Sequence, residues 1–162
     1  MDKKLSLLIF SGEYDKALAG LILANSAKEL GMEVSIFFAF WGLLLIRNPN
    51  INMSEGKSSL EKLMGFIAPK GPGELPLSNM NFSGLGKKML EAMMEEDGTP
   101  TLSKFLEGAI KKGVKFYGCK LSIEVMGFKK EELIPEVEII NATDYLKDAL
   151  ESNIQLFIWA SY

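Results

Sequence analysis

Leu5-Ser6-Leu7-Leu8-Ile9-Phe10-Ser11-Gly12 is the stretch that settles the architecture. After Ser6 the run has no polar alternation, and Ser11-Gly12 breaks it. A short, unalternating apolar run reads as a strand buried on both faces, as in a parallel sheet. Residues 13–30 follow with helical composition: Ser11 is the expected cap, acids sit early, and Gly31 marks the stop. Residues 33–40, EVSIFFAF, read as a second strand rich in aromatic and branched residues. Strand, helix and strand make a crossover unit, and such units are nearly always right-handed.

The same rhythm returns later. Residues 101–112 carry Leu102, Phe105, Leu106, Ala109 and Ile110 at helical spacing, with Gly113 as the stop. A strand over 114–117 leads through Gly118 into Cys119. Short helical turns over 121–125 and 130–133, a strand over 137–140, a helix over 143–151 capped by Asn141 or Thr143, and a last strand over 154–159 complete the pattern. The expected fold is a single-domain α/β protein, 1–162, with an open, mostly parallel sheet and helices on both faces.

Residues 48–100 interrupt this order. Asn48-Pro49-Asn50 and Lys70-Gly71-Pro72-Gly73 signal loops, with short helices expected over 58–67 and 86–96. Six of the nine methionines fall here, at 53, 64, 80, 89, 93 and 94. Methionine fills gaps in irregular cores, and long irregular segments also serve as lids or partner surfaces. Residues 17–24 of the first helix are apolar nearly all round, which points to a second layer or an oligomer contact.

Composition excludes several classes of function. The chain has 48% hydrophobic and 24% charged residues and a net charge of −3. Its lysines are scattered, so no nucleic-acid footprint is expected. No apolar run approaches the length of a spanning helix, so stable membrane insertion is not expected. Only six residues separate Met1-Asp2-Lys3-Lys4 from Ser11-Gly12, too few for a secretory signal. A cytoplasmic location, where a free thiol survives, follows. With no histidine and one cysteine, there is no imidazole base, no internal disulfide and no cysteine-rich metal site. No metal and no cofactor are expected.

Cys119 admits two readings. It sits between a strand's carboxyl end and a helical turn, where ligands bind in open α/β sheets and where helix N–H groups favour a thiolate. Lys120 adds positive charge, and Gly118 is expected to ease access. Against this, free cysteine often packs as a small buried hydrophobe. Thioredoxin-type chemistry is excluded, since it needs a second cysteine. The position three before Cys119 is Phe116, where a peroxidatic motif has Thr or Ser. The following Lys-Leu-Ser-Ile-Glu lacks a rhodanese-type glycine and arginine cradle. The first loop, with Ser11, Gly12, Asp15 and Lys16, is either an ordinary helix cap or a place for an anionic group.

The run from Gly113 through Cys119 and Leu121-Ser122 to Met126-Gly127 resembles the cysteine motif of the DsrE/DsrF-like family, in the branch often labelled peroxiredoxin-like. Ser11-Gly12 with Asp15-Lys16-Ala17, Phe38-Ala39-Phe40-Trp41-Gly42-Leu43, and Asn81-Phe82-Ser83-Gly84-Leu85-Gly86 resemble further family blocks. The resemblance implies a DsrE-type sheet and sulfur transfer, with Cys119 holding a sulfane sulfur or thiosulfonate for a partner thiol. It implies substrate contacts from Ser11, Gly12, Asp15, Lys16, Trp41, Gly42, Lys120, Ser122 and Met126. It also implies TusA-like or rhodanese-type partners and a homo-oligomer, a trimer favoured. Some members of this branch carry a second cysteine a few residues upstream, which this chain lacks, and Leu121 stands where Met is common. The alternative from the residues alone is an oligomeric ligand-binding or adaptor module with a structural cysteine.

Overall fold

The computed structural model describes residues 3–159. The five expected strands are present: β1 Lys4–Ile9, β2 Glu33–Phe38, β3 Lys115–Cys119, β4 Val137–Ile140 and β5 Ile154–Ile158. They form one sheet in the order β4-β3-β2-β1-β5. Every neighbouring pair is parallel, so the sheet is parallel throughout rather than mostly so. The helices are α1 Tyr14–Glu29, α2 Ser59–Ile67, α3 Leu85–Glu96, α4 Leu102–Lys111, α5 Lys120–Met126 and α6 Ala142–Leu150.

Strand order explains how the faces are covered. From β1 to β4 the chain steps across the sheet in one direction. Right-handed crossovers therefore keep α1 and α4 on one face. The return from β4 to β5 reverses direction and carries α6 to the other. The first face holds the main core, where Leu7, Ile9, Ile36, Phe38 and Phe116 pack with Ala17, Leu21, Leu102 and Leu106. The second face is smaller and partly polar. There Asp148 of α6 accepts from Lys4 Nζ at 2.6 Å and from Ser35 Oγ at 2.6 Å, which pairs the buried lysine.

The interrupted segment hangs on buried charge. Arg47, the only arginine in the sequence, is fully buried. Its guanidinium donates to the carbonyls of Gly65, Ala68 and Pro69 and lies over the Phe128 ring. Two of these carbonyls belong to the unpartnered end of α2 or its cap. Glu132 accepts from Lys57 Nζ at 2.5 Å and from the main-chain N–H groups of Met53 and Lys129. The methionines of this segment divide by burial. Met64 and Met94 pack against the core, whereas Met80, Met89 and Met93 face outward.

Candidate functional site

Cys119 is the last residue of β3 and the residue that precedes the first turn of α5. Strand alternation turns Phe116 and Gly118 toward the main core and Tyr117 and Cys119 toward the opposite face. The thiol is buried, 8% exposed, and clusters with Phe37 and Ala39. Phe10, Phe40, Tyr117, Ile140 and Tyr145 pack against that cluster. Tyr145 of α6 stacks on Phe37 at 4.3 Å, and Phe10 meets Phe40 at 5.5 Å. The sulfur thus lies in an aromatic-lined position at the carboxyl edge of the sheet. Gly118 does not ease its access. A Cβ there would meet Ile123 and Val137, so this glycine lets α5 and β4 close on β3.

The chain leaves β2 through a tight bend that borders the thiol. Phe40 has a left-handed φ of 46°, uncommon for a bulky residue and a store of strain. It opens the 3-10 turn Phe40–Ile46. Gly42 follows, where an added Cβ would lie 2.0 Å from the Ile9 carbonyl oxygen. No side chain fits there. Gly12 packs on the Trp41 main chain in the same way. The carboxyl ends of β1, β2 and β3 therefore bring Phe10, Ala39 and Cys119 into one cluster, with Gly12 against Trp41 just beyond. Trp41 is 44% exposed.

The polar residues of the first loop have internal partners. Glu13, not Ser11, occupies the N-cap position of α1, and its side chain makes no capping hydrogen bond. The Ser11 hydroxyl accepts from the Glu13 N–H at 3.1 Å and donates to the Glu13 carboxylate. Lys16 pairs with Glu13 at 3.2 Å. The Asp15 carboxylate accepts from the Ser78 N–H at 2.8 Å and from its hydroxyl. The Tyr14 N–H donates to the Pro76 carbonyl at 2.7 Å. A piece of the interrupted segment thereby occupies the start of α1.

The residues after Cys119 divide. Lys120 is exposed. Ser122 is fully buried, and its hydroxyl has no hydrogen-bond partner among the described residues. Met126 is buried in the main core. Tyr117, two residues before the thiol, has its phenol pushed up by burial and then by the charges of Asp148 and Glu138, so it remains a neutral donor. Among the described residues no group of three or more carboxylate or thiol ligands could hold a metal. Among them, too, no helix is long and apolar enough to cross a membrane.

Sequence reasoning ended the strand at Tyr117 and put Cys119 just beyond it, whereas Cys119 is the last residue of β3 and pairs with Ile140 of β4; it also missed the ring around the thiol. Phe37 and Tyr145 lie on different elements, and only the aromatic density of 33–40 hinted at the first. It also missed Arg47, although a lone arginine closing the apolar run Leu43-Leu44-Leu45-Ile46 was a visible signal.

Comparison with known proteins adds four findings. The model of the DsrE/DsrF/DrsH-like family matches residues 1–157. The uncharacterised protein YrkE of Bacillus subtilis is 36% identical over 156 residues, covering 96% of this chain and 97% of its own. The sulfur carrier protein DsrE2 of Allochromatium vinosum is 31% identical over 158 residues, covering 96% and 98%. Among solved structures, the ychN protein of E. coli matches with a TM-score of 0.56 at 14% identity, over 97% of this chain and 99% of that one. That likeness confirms the fold.

Proposed function

From the premise that this chain belongs to the DsrE/DsrF/DrsH-like family, we propose that it works in sulfur relay, with Cys119 as the carrier. The observation that carries the reading is the likeness to a sulfur carrier over almost the whole chain, joined to a lone cysteine at the carboxyl edge of a parallel sheet. The Cys119 thiolate attacks the outer sulfur of a donor persulfide. A new S–S bond forms on Cys119, the donor's S–S bond breaks, and the donor leaves as a thiolate. An acceptor thiolate then attacks the outer sulfur and releases Cys119 unchanged. No net oxidation occurs, so neither a second cysteine nor a cofactor is needed. The same thiol holds a thiosulfonate group when the donor carries one.

The site is completed by residues near the sheet edge. Trp41 and Lys120, both exposed, form the approach for donor and acceptor, which are TusA-like or rhodanese-type proteins. Gly12, Gly42 and the internal ties of Ser11, Asp15 and Lys16 shape the neighbouring loops. Ser122 and Met126 set the inner face of α5. The chain acts in the cytoplasm as a single-domain homo-oligomer, with a trimer favoured. The β5 edge supports assembly, since Ile154, Leu156 and Phe157 are exposed there together with Trp159.

The test is intact-protein mass spectrometry after incubation with polysulfide, thiosulfate or tetrathionate. The expected result is an adduct on the natural chain and none on Cys119→Ser. The burial of Cys119 favours one other reading, a structural cysteine in a binding module. That reading requires a folded protein that takes up no sulfur.

A further inference from the structure

The outer face of α3 has an order of charges that a lone helix does not favour. Lys87 and Lys88 lie in its first turn and Glu95 and Glu96 in its last, with no acid in the first turn and no base in the last. A helix dipole prefers the reverse at both ends. Lys87 is engaged inward, by the Gly73 carbonyl and Glu91. Lys88 and Glu95 are exposed and form no ion pair among the described residues. They share one flank, two turns and about 10 Å apart, too far to pair within the helix.

Between these charges runs an apolar stripe. Phe82, Leu85, Met89 and Met93 are 67%, 59%, 59% and 62% exposed, and Ala92 is exposed beside them. Leu85, Met89, Ala92 and Met93 recur at the three- and four-residue spacing of one helix face, and Phe82 stands in the turn just before it. The turn that starts the stripe is strained, with positive φ at Met80, Phe82 and Ser83. It is locked from behind, because a Cβ at Gly86 would lie 1.8 Å from the Met80 carbonyl oxygen. The surrounding structure thus holds a strained turn in place, and Met80 and Phe82 of that turn stay exposed.

We infer that this face docks on the same face of a second copy of the chain, α3 antiparallel to α3 about a twofold axis near Ala92. Such an axis brings together residues of the same flank from opposite ends of the two helices. Lys88 then meets the partner copy's Glu95, and the contact occurs twice, as an isologous interface requires. The stripes close on each other, and the charges that oppose each helix dipole neutralise across the seam. A groove of about 740 Å³ lies on this flank, lined by Lys88, Ala92 and Glu95 with Thr101 and Lys104 of the α4 end. It gives room for the opposing side chains. The inference is independent of the sulfur-carrier reading.

Charge exchange tests it on surface residues alone. Masses are measured by sedimentation over a concentration series for the natural chain, Lys88→Glu, Glu95→Lys, the double exchange and Met89→Lys. Each single change is expected to halve the mass, whatever number of copies join elsewhere, and the double exchange to restore it. Circular dichroism confirms that each variant folds. Unchanged masses in the single variants, or no recovery in the double exchange, overturn the inference. So does a natural chain whose mass does not depend on α3 but which co-sediments through it with lipid vesicles.

Discussion

An alanine at position 42 would place its Cβ 2.0 Å from the Ile9 carbonyl oxygen. That is main chain against main chain, with no side chain to give way. Gly42→Ala is expected to lose several kcal/mol, about 4 or more, seen as a fall in the urea midpoint and lost α/β signal. A variant of natural stability would contradict the close passage. Glu132 offers a second test at this scale. Burial works against its charge, but Lys57 Nζ and the N–H groups of Lys129 and Met53 outweigh it, so the carboxyl is held below the ordinary range. A carboxylate depressed by folding contributes stability above its unfolded value of about 4.3. That contribution fades as pH falls through the folded value. Urea titrations should therefore show stability dropping below about pH 4.3, with a shallower drop in Glu132→Gln. At neutral pH that variant should be weaker by roughly 3 kcal/mol, because Lys57 keeps a buried charge without its partner. An unchanged pH slope would remove Glu132 from this role.

The elements show where local sequence suffices and where it does not. Ser58 and Glu61 form a capping box at the start of α2, each side chain bonding the other's main-chain N–H. The expected helix start at 58 rests on that chemistry. Ser58→Ala should cost about 1 kcal/mol, read as faster amide exchange confined to α2. Uniform exchange across the fold would show that the cap is not what holds this helix. Each strand was legible because its apolar run is dense and bounded by glycine or asparagine; β4 matches residue for residue. The first loop was not legible. Its N-cap position falls at Glu13 rather than Ser11, without a side-chain cap, and Asp15 turns to Ser78, sixty-three residues away. Local propensity carries no signal for such a contact. The same holds for Arg47, whose partners belong to α2 and the residues after it.

At the scale of the molecule, alternating elements made a parallel sheet legible, but not its order. The order β4-β3-β2-β1-β5 turns Cys119 toward the face that α6 covers and leaves β5 on an open edge. Proximity of the thiol to Phe10, Ala39 and Tyr145 follows from that topology rather than from spacing. It places the thiol in an apolar, aromatic-lined setting at the carboxyl edge of the sheet. The direct measurement is peptide-resolved mass spectrometry of Cys119 after polysulfide treatment of the folded protein, before and after addition of a thiol acceptor. One added sulfur on the Cys119 peptide, lost to the acceptor on mixing, is the expected result. A Cys119 that stays unmodified while folded, yet takes up sulfur once the chain is denatured, would contradict the carrier role.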